Sequence, residues 1–334
     1  MRICFGYYHT LSSFIEKDYK LLCRTHDVLL LNFRREFYKS VLAVANCDLT
    51  FCWFADVHSA VLTAIGKSLG RKSILVSGGY DVANVPELRY GAFQYSLPTR
   101  VSARYALRNA DRIVVVAPSL KIEAMRNAGI DGSTVEYLPT GYDPEFWNPG
   151  GMQRRQRIVL TVAHLNSRTI ALKGVDIFIA AAALVPDADF VIVGMMMDDV
   201  AQHLARISPP NVRFAGSLLP NDLKTTYRGA AVYCQLSRHE GLPNALCEAM
   251  LCGCIPVGTS TGGIPLAMDN TGEIVQPGDV EAAAAAIQRA LDAPETNRAK
   301  ARQIIATRFT LSKREEGLLN LIEELEGQET DPGP

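Results

Sequence analysis

The sequence predicts an α/β protein with two doubly wound domains, in which helices cover both faces of mostly parallel sheets. Short runs of β-branched and apolar residues alternate with helix-like segments through both halves of the chain. The length of 334 residues suits two domains of ordinary size. A segment rich in Pro and Gly at 144–151 separates the two halves. We therefore assign residues 1–149 to a first domain and residues 150–310 to a second.

The first half begins as repeated strand–helix units. Residues 2–7 form an apolar run, a helix-like segment follows near 15–24, and 26–31 is apolar again. This order is typical of parallel sheets, so we expect it to repeat. Further strands are predicted at 49–54, 73–77 and 111–116, and further helices near 57–69 and from 118 onward. His58 is interpreted as a helix-face or core histidine.

The second half repeats the alternation. Strands are predicted at 157–163, 189–193, 211–217, 231–236 and 255–258, the third of these including its turn. Helices are predicted at 175–185, where the pattern indicates an amphipathic helix, and at 223–228, 244–251 and 281–291. Apolar residues at helical spacing predict a last helix at 311–326. The polar end of the chain, residues 327–334, is predicted to be disordered.

The composition is that of a globular protein, with 48% hydrophobic and 21% charged residues. The net charge of −1 argues against a nucleic-acid partner. No apolar stretch approaches the roughly 20 residues of a spanning helix, and no leader pattern is visible. We therefore expect a cytoplasmic protein whose eight cysteines are reduced. Cys252 and Cys254 lack a second ligand pair, which favours buried thiols over a metal site.

The stretch from Ser237 to Gly263 is the most informative part of the chain. A loop leads into a helix, the helix into the short strand at 255–258, and the strand into a Gly-rich turn. Glu240 precedes the helix, and Glu248 lies about one turn inside it. The first N–H groups of a helix, with its dipole, bind anions. Anion donors beside carboxylates that accept hydroxyl hydrogens predict a nucleoside diphosphate joined to a sugar as the ligand.

This stretch resembles the carboxyl-half signature of the retaining GT-B glycosyltransferases of family 4 (glycosyl transferases group 1). The shared pattern is a Glu, seven residues, a second Glu, a Gly-containing turn, a strand and Gly-Gly. The resemblance extends more weakly from about 12 to 325. It implies a GT-B fold with two facing Rossmann-like domains, a site in the cleft between them, and a last helix that packs back on the first domain.

The resemblance also implies a reaction and its residues. A sugar passes from a UDP- or GDP-type donor to a hydroxyl acceptor, which is a glycan, a lipid-linked molecule or a small molecule, with retention at the anomeric carbon. The predicted catalytic residues are Glu240, Lys173 and Arg168. Lys173-Gly174 matches the family motif, whereas Ala163-His164 replaces its Gly-Arg. Either Arg168 or His164 therefore replaces the family arginine. The predicted donor-binding residues are Glu248, Gly241, Leu242, Asn244, Ala245, His164, Gly216, Ser217 and Leu218.

The acceptor or sugar side is predicted from the loops of the first domain. Ser12 and Ser13 stand where the family has adjacent glycines, and they are ligand contacts or helix N-caps. Gly79, Tyr80 and Asp81 stand where the family often has a His. The alternative for Asp81 is a turn in which its side chain bonds its own backbone.

A basic stripe and the absence of a metal motif complete the predictions. Arg100, Arg104 and Arg108 recur on one helix face, which is a solvated face or a peripheral contact with anionic lipid at the inner membrane face. We expect no cofactor and no metal, because no Asp-x-Asp or His/Cys cluster is placed to bind one. The alternatives to transfer are a GT-B nucleotide-sugar epimerase and a non-catalytic nucleotide-sugar-binding protein. A dehydrogenase is disfavoured, since no Gly-x-Gly-x-x-Gly follows the first strand.

Overall fold

The computed structural model describes residues 1–151 and 156–327. The chain divides into two compact units. Unit 1 contains Met1–Thr140 and the chain from Leu311, and unit 2 contains Gly141–Thr310. In the described residues each unit has a six-stranded sheet in which all pairs of neighbouring strands are parallel. The predicted α/β class with two doubly wound sheets is confirmed.

The sheet of unit 1 changes winding direction beside its first strand. Its strands are β1 (Arg2–Tyr7), β2 (Asp27–Asn32), β3 (Leu49–Trp53), β4 (Lys72–Ser77), β5 (Arg112–Val115) and β6 (Val135–Tyr137). Their order across the sheet is β2-β1-β3-β4-β5-β6. The connections after β1 and β3 therefore leave in opposite directions. In doubly wound sheets this switch point opens a crevice outside the carboxyl ends of the two strands.

Helices connect these strands. They are α1 (Ser13–Leu22), α2 (Phe33–Glu36), α3 (Ser40–Ala45), α4 (Val57–Ser68), α5 (Leu97–Asn109) and α6 (Pro118–Ala124). Short 3-10 turns lie at Phe37–Lys39, Pro86–Leu88 and Ala92–Gln94, and a π turn at Met125–Gly129 follows α6. Asp56 and Ser59 form a capping box that fixes the start of α4. α3 packs on α4, and α4 packs on α5.

The sheet of unit 2 has the same kind of switch. Its strands are β7 (Gln156–Val162), β8 (Asp189–Val193), β9 (Val212–Gly216), β10 (Ala230–Gln235), β11 (Ile255–Thr259) and β12 (Glu273–Val275). Their order is β12-β11-β10-β7-β8-β9. The chain winds outward from β7 to β9 and then returns to the other side of β7. The switch point of unit 2 therefore lies between β7 and β10.

The helices of unit 2 are α7 (Thr169–Leu172), α8 (Val175–Leu184), α9 (Asp199–Ile207), α10 (Pro220–Gly229), α11 (Asn244–Leu251), α12 (Ile264–Met268), α13 (Val280–Leu291) and α14 (Glu295–Arg308). The prediction that the helix at 175–185 is amphipathic is wrong. Six of the ten residues of α8 are buried because the helix packs against both α13 and the sheet. A helix that is apolar on most sides is typical of such a position.

The last helix, α15 (Leu311–Gly327), returns to unit 1 and packs on α1. Arg314, at 1% exposure, donates to both carboxylate oxygens of Asp18 and to the carbonyl of Leu138. The helix therefore has buried polar anchors as well as apolar contacts. The predicted disordered tail lies outside the described residues, apart from Gly327, which ends α15.

The boundary between the units falls after Thr140, nine residues before the predicted one. The connecting segment is bound into unit 2 at several points. The amide of Tyr142 donates to the carbonyl of Phe309 at 2.8 Å. The guanidinium of Arg302 donates to the carbonyls of Pro144 and Trp147. Proline and glycine mark a chain turn in the sequence, but these hydrogen bonds decide which unit the segment joins.

None of the eight cysteines forms a disulfide, and Cys252 and Cys254 are fully buried, as predicted for these two thiols. The Cys254 thiol donates to the carbonyl of Tyr227 at 3.1 Å. Within the described ranges, none of the helices combines the length and the hydropathy needed to cross a bilayer.

Candidate functional site

Two of the three predicted catalytic side chains, Lys173 and Glu240, meet at the switch point of unit 2. Since all strands of the sheet are parallel, their carboxyl ends share one edge. The loop after β7 continues into α7 and Lys173, and the loop after β10 carries Glu240. These two loops diverge from neighbouring strands, which is the geometry that forms a ligand crevice.

An ion pair joins the two loops. Lys173 Nζ lies 2.7 Å from Glu240 Oε2, with side-chain exposures of 31% and 12%. The same carboxylate oxygen accepts from Gln235 Nε2 at 3.2 Å and Ser237 Oγ at 3.1 Å. The hydroxyl of Tyr233 donates to Gln235 Oε1 and orients its amide. Glu240 is thus held in a defined position, and the ammonium of Lys173, which has three donor hydrogens, keeps donors for a ligand.

Two glycines bring the backbones of this site together. Gly174 has φ +66°, and a Cβ on it would lie 1.9 Å from the carbonyl oxygen of Leu236. Gly262 has φ +55°, and its Cβ would lie 1.9 Å from the carbonyl oxygen of Glu240. Both positions therefore require glycine for the backbone conformation and for the close approach. The glycines of the Lys-Gly and Gly-Gly pairs therefore leave the space that the placement of Lys173 and Glu240 needs.

The helix α11 starts directly after this loop. It begins at Asn244, and its N-cap residue Pro243 makes no side-chain capping bond. Gly241 and Leu242 are buried in the preceding loop, while Asn244 and Ala245 are half-buried at the helix start. The hydroxyl of Tyr142 donates to Asn244 Oδ1 at 2.8 Å. The first turn of α11 thus follows the loop of Glu240 directly, and its N-cap residue provides no side-chain cap.

Glu240 and Glu248 share a neighbourhood. Glu248 is half-buried, one turn beyond Asn244 in α11. Burial raises the pKa of the Tyr233 phenol well above its ordinary value, and the negative charges of Glu240 and Glu248 raise it further. Both carboxylates therefore lie within electrostatic reach of one buried tyrosine. The structure brings Lys173, Glu240 and Glu248 into one region, as the predicted site requires.

The loop after β7 carries both candidates for the family arginine. His164 is exposed, and its Nδ1 accepts from the amide of Met195 at 3.3 Å. Arg168 is the exposed N-cap residue of α7, five positions before Lys173. Asp198 accepts from the amide of Ser167 at 2.7 Å and ties this loop to the one after β8. Which of the two cations serves the site stays a prediction.

The predicted base contact lies at the same edge of the sheet. Gly216 ends β9 with φ +69°, and its carbonyl accepts from the amide of Gly194 at 2.9 Å. Ser217 is exposed and Leu218 half-buried in the turn that follows. Their contact with a nucleotide base stays a prediction.

In unit 1 the switch point contains a cavity of about 230 Å³. Its lining residues come from the loops after β1, β3 and β4 and from the starts of α1 and α4. They are Tyr7, Tyr8, His9, Thr10, Ser12, Ile15, Trp53, Phe54, Ala55, Asp56, His58 and Tyr80. Among them, only Ser12 and Tyr80 were predicted as site residues. The signal that sequence reasoning missed is the concentration of aromatic residues at 7–8 and 53–54, immediately after two strands.

The other predicted residues of the first domain have different surroundings. Asp81 is fully buried and accepts from the amides of Ala55, Gly78 and Gly79 and from the Ser77 hydroxyl. This is the turn alternative, because both of its oxygens are engaged within the protein. Burial nevertheless raises the pKa of Asp81, and the hydrogen bonds oppose the rise.

The two serines also separate. Ser12 is the N-cap residue of α1, but its hydroxyl makes no capping bond and is buried without a partner. Ser13 is the first residue of α1 and is exposed.

The arginine stripe on α5 is partly engaged. The guanidinium of Arg104 donates to the carbonyl of Asn127, and that of Arg108 to the carbonyl of Ala128 at 2.6 Å. Two of the three arginines thus serve carbonyls of the π turn. Arg100 is exposed on the same helix.

The described residues contain no group of three or more His, Cys, Asp or Glu side chains placed to bind a metal ion. Asp187 and Asp189 stand two apart, but β8 starts at Asp189, so they lie at the amino end of the strand, away from the site. Asp187 pairs with Arg157 at 2.9 Å.

Residues 156–293 match the family model described as Glycosyl transferases group 1. This segment lies within unit 2 and includes Lys173, Glu240 and Glu248. The chain is 29% identical over 161 residues to the alpha-galactosylglucosyldiacylglycerol synthase of Streptococcus pneumoniae, covering 42% of each chain. It is 26% identical over 192 residues to the D-inositol 3-phosphate glycosyltransferase of Mycolicibacterium gilvum, covering 50% of this chain and 41% of that one. The chain thus spans less than half the length of these curated relatives.

Solved structures share the fold of both units. Sucrose-phosphate synthase from Thermosynechococcus elongatus superposes with a TM-score of 0.77 at 16% identity, covering 98% of this chain and all of that one. Anabaena Alr3699/HepE in complex with UDP-glucose superposes with a TM-score of 0.75 at 16% identity, covering 97% of this chain and all of that one. The chain has the GT-B fold. At these identities the likeness establishes the fold and leaves activity and substrate to the chemistry of the site.

Proposed function

We propose that this protein is a glycosyltransferase that moves a sugar from a nucleoside-diphosphate sugar to a hydroxyl acceptor. The observation that carries the proposal is the Lys173–Glu240 pair at 2.7 Å, placed at the switch point of unit 2 beside the start of α11. This arrangement lies inside the segment that matches glycosyl transferases group 1. Names of relatives and the UDP-glucose complex of a structural neighbour support a nucleotide-sugar donor.

Each part of the donor finds a complementary group in unit 2. The first turn of α11 and Lys173, with Arg168 or His164, supply positive charge for the diphosphate. Glu248 accepts hydrogen bonds from the ribose hydroxyls. Glu240 and the amides of Gly241 and Leu242 hold the sugar, while Gly216, Ser217 and Leu218 contact the base. We propose a UDP- or GDP-type donor.

The chemistry needs stabilisation of a departing nucleoside diphosphate. As the bond to the anomeric carbon breaks, negative charge grows on the leaving phosphate oxygen. Preorganised donors facing that charge lower the barrier, so Lys173 and the helix amides supply the stabilisation that a metal ion supplies elsewhere. We therefore propose metal-independent transfer with retention of anomeric configuration, in the assembly of a glycan, polysaccharide or glycolipid.

Substitution at the ion pair tests the assignment. Lys173→Ala and Glu240→Gln are each expected to lower transfer by roughly a hundred- to a thousandfold, because each removes a preorganised group. Lys300→Ala, an exposed lysine on α14, is the matched control and retains full transfer. The donor is first chosen by a thermal-shift panel of UDP- and GDP-sugars. Normal turnover in both site variants contradicts the proposal.

The same assay separates the alternatives. An epimerase converts the nucleotide-sugar to its isomer without consuming an acceptor. A non-catalytic binding protein shows a thermal shift but neither transfer nor hydrolysis. The replacement of Gly-Arg by Ala163-His164 is the observation that keeps the second alternative open.

We further propose that unit 1 touches an anionic membrane surface from the cytoplasmic side. Beside Arg100, α5 exposes the apolar side chains of Leu97 (65%) and Val101 (54%). Elsewhere in unit 1, the 3-10 turn before α3 and α3 itself expose an apolar group formed by Phe37, Tyr38, Val41 and Leu42. Apolar side chains with flanking cations are typical of interfacial helices. Arg100→Glu with Leu97→Asp is expected to reduce binding to phosphatidylglycerol vesicles, and unchanged binding contradicts this part.

A further inference from the structure

The cavity at the switch point of unit 1 has the size and walls of a site for one small ring. Its volume is about 230 Å³, and a cavity of roughly 150 Å³ already admits benzene in a protein core. Aromatic side chains form much of the wall, including Tyr8, Trp53, Phe54 and Tyr80. Phe54 takes φ +69°, a conformation that is costly for a residue other than glycine. Such strain is typical of a binding site.

Two buried polar atoms in this wall lack partners. His58 is 2% exposed, and its Nε2–H donates to the carbonyl of Trp53 at 2.9 Å. This bond fixes the tautomer, so Nδ1 carries a lone pair, and that atom has no hydrogen-bond partner. Burial lowers the pKa of His58, which keeps the ring neutral and Nδ1 an acceptor. The hydroxyl of Ser12 is the second unpartnered buried atom.

An exposed aromatic side chain lies beside this histidine. Both orphaned atoms are shielded from solvent in this structure. The ring of Tyr8 lies against His58, with ring centroids 6.1 Å apart, and Tyr8 is 45% exposed. An exposed tyrosine changes rotamer readily. Rotation of the Tyr8 ring would widen the space beside His58.

The charge of the side chains that line the cavity indicates what kind of ring it can bind. In the described part of the chain, Asp56 is the charged residue among those that line the cavity, and neither lysine nor arginine is among them. A carboxylate accepts hydroxyl hydrogens and repels phosphate. The ligand is therefore a neutral hydroxylated ring.

We propose that this cavity binds a neutral sugar or cyclitol ring, with a ligand hydroxyl donating to His58 Nδ1 and a second one bonding the Ser12 hydroxyl. In the proposed glycosyl transfer, on which this role rests, the ring is the acceptor. The aromatic walls stack on its apolar faces, and Asp56 at the rim excludes its phosphorylated form. This assigns Tyr8, Trp53, His58 and Ser12 as binding residues.

The two tryptophans of the chain provide a direct test. Trp53 lines the cavity, whereas Trp147 lies in unit 2. In protein labelled with 5-fluorotryptophan, D-glucose, D-mannose, D-galactose and myo-inositol are added separately, with D-glucose 6-phosphate as the charged probe. At least one neutral ring is expected to shift the Trp53 fluorine resonance and leave that of Trp147 in place. Glucose 6-phosphate is expected to bind less tightly than glucose or to leave both resonances in place.

Variants identify the contacts. Ser12→Ala is expected to weaken binding of that ring roughly three- to tenfold, the effect of one lost hydrogen bond. It breaks no bond within the protein, so it leaves the fold intact. Ser312→Ala, at an exposed serine of α15 that does not line the cavity, is the matched control with unchanged binding. His58→Leu is expected to abolish the shift of Trp53.

Two outcomes overturn the proposal: a Trp53 resonance that none of the neutral rings moves, or binding that Ser12→Ala and His58→Leu both leave unchanged. Binding of a nucleoside diphosphate, followed by thermal shift, reports on unit 2 independently. If the protein binds the nucleoside diphosphate but none of the neutral rings, only the assignment of the unit 1 cavity is wrong. If it binds a neutral ring but no nucleoside diphosphate, only the assignment of donor binding to unit 2 is wrong.

Discussion

At the scale of single residues, Gly174 lets two backbone segments of the candidate site approach closely. Its left-handed backbone turns the chain from α7 into α8 against the end of β10, and this places Lys173 beside Glu240. A side chain at this position meets a carbonyl group, which cannot move without moving the loop of Glu240. Replacing Gly174 by a residue with a side chain would therefore disturb the ion pair in two ways, through backbone strain and through a steric clash.

Gly174→Ala is therefore expected to be more destabilising than a glycine substitution that carries the strain alone. Gly70 has φ +67° and nothing within 4 Å of an added Cβ, so Gly70→Ala serves as the matched control. The control is expected to cost about 1 kcal/mol in free energy of unfolding, and Gly174→Ala distinctly more. Urea denaturation measures both. Equal losses would show that the contact with Leu236 relaxes freely.

The protonation of His58 gives the second prediction at this scale. Its pKa is lowered by burial in the folded protein, whereas in the unfolded chain it has the ordinary value of 6.5. Protons therefore bind preferentially to the unfolded chain as the pH falls below about 6.5, and stability falls with them. His58→Gln, which cannot titrate, is expected to remove up to about 1.4 kcal/mol per pH unit of this dependence.

Unfolding free energies of both proteins between about pH 7.5 and pH 5.5 test this expectation. The negative charge of Asp56 opposes the lowering of the His58 pKa. Burial also lowers the pKa of His26, so His26 adds a pH dependence of the same sign, but this contribution is the same in both proteins and cancels in their difference. Parallel curves for the two proteins contradict a neutral His58.

Residues differ in how far the sequence reveals them. The Lys-Gly and Gly-Gly pairs were predicted as site motifs because steric demands leave a mark on residue type. The contact of Lys173 with Glu240 spans 67 positions, and only the winding of the sheet brings the two together. His58 reads as a core histidine, since nothing local shows that one ring nitrogen lacks a partner. Asp81 is equally ambiguous until its four donors are known.

At the scale of elements, ten of the twelve described strands were predicted, whereas β6, β12 and several helices were not. Each predicted strand ends within one or two residues of the observed one, since short apolar runs bounded by glycine and polar residues leave few alternatives. No helix was predicted for 295–308, where α14 forms, because its mostly polar sequence shows no wide apolar face. α14 instead packs on α11, and two of its arginines add hydrogen bonds. The buried Arg298 donates to the carbonyl of Ala231 in β10, and the partly buried Arg302 donates to the carbonyl of Leu251 in α11. Hydrogen bonds of this kind depend on carbonyl groups far away in the sequence, so they produce no periodic pattern of residues that would predict the helix.

The docking of α15 rests on a buried ion pair that can be broken from either side. Arg314→Ala and Asp18→Asn are each expected to lower the stability of unit 1 by about 3–5 kcal/mol, because each leaves an uncompensated buried group. Trp53 Nε1 also donates to Asp18, so the loss extends to β3. The control is the more exposed pair of Arg24, which follows α1, with Glu315 of α15.

Arg24→Ala is expected to cost at most about 1 kcal/mol. Denaturation followed through Trp53 fluorescence in a Trp147→Phe background isolates the transition of unit 1. Similar small losses for the buried and the exposed pair contradict the anchoring role.

At the scale of the whole molecule, the predicted donor-binding residues all belong to one continuous part of the chain. Gly141–Thr310 contains the sheet, the switch point and α11, and its core is formed by residues of the same unit. Unit 1, in contrast, is assembled from two parts of the sequence. This division predicts that nucleotide recognition is a property of unit 2 by itself.

The fragment Gly141–Thr310 is therefore expected to fold and to bind the nucleoside diphosphate preferred by the full chain. At a hundred times the Kd, binding is expected to raise its Tm by about 5–10 °C. The same fragment with Lys173→Ala serves as the control, with a much smaller shift. A folded fragment that shows no shift, while the full chain does, contradicts the assignment of donor binding to this unit.

The return of α15 to unit 1 has a consequence for synthesis on the ribosome. Asp18 emerges 296 positions before its partner Arg314. Until then the carboxylate and the neighbouring surface of α1 stay uncovered, while unit 2 can already complete itself. Of the two units, unit 1 begins earlier in the sequence and is completed later. Premature termination shortly before Leu311 therefore releases a nascent chain in which unit 2 is complete, while unit 1 lacks α15 and exposes a surface for chaperones to recognise.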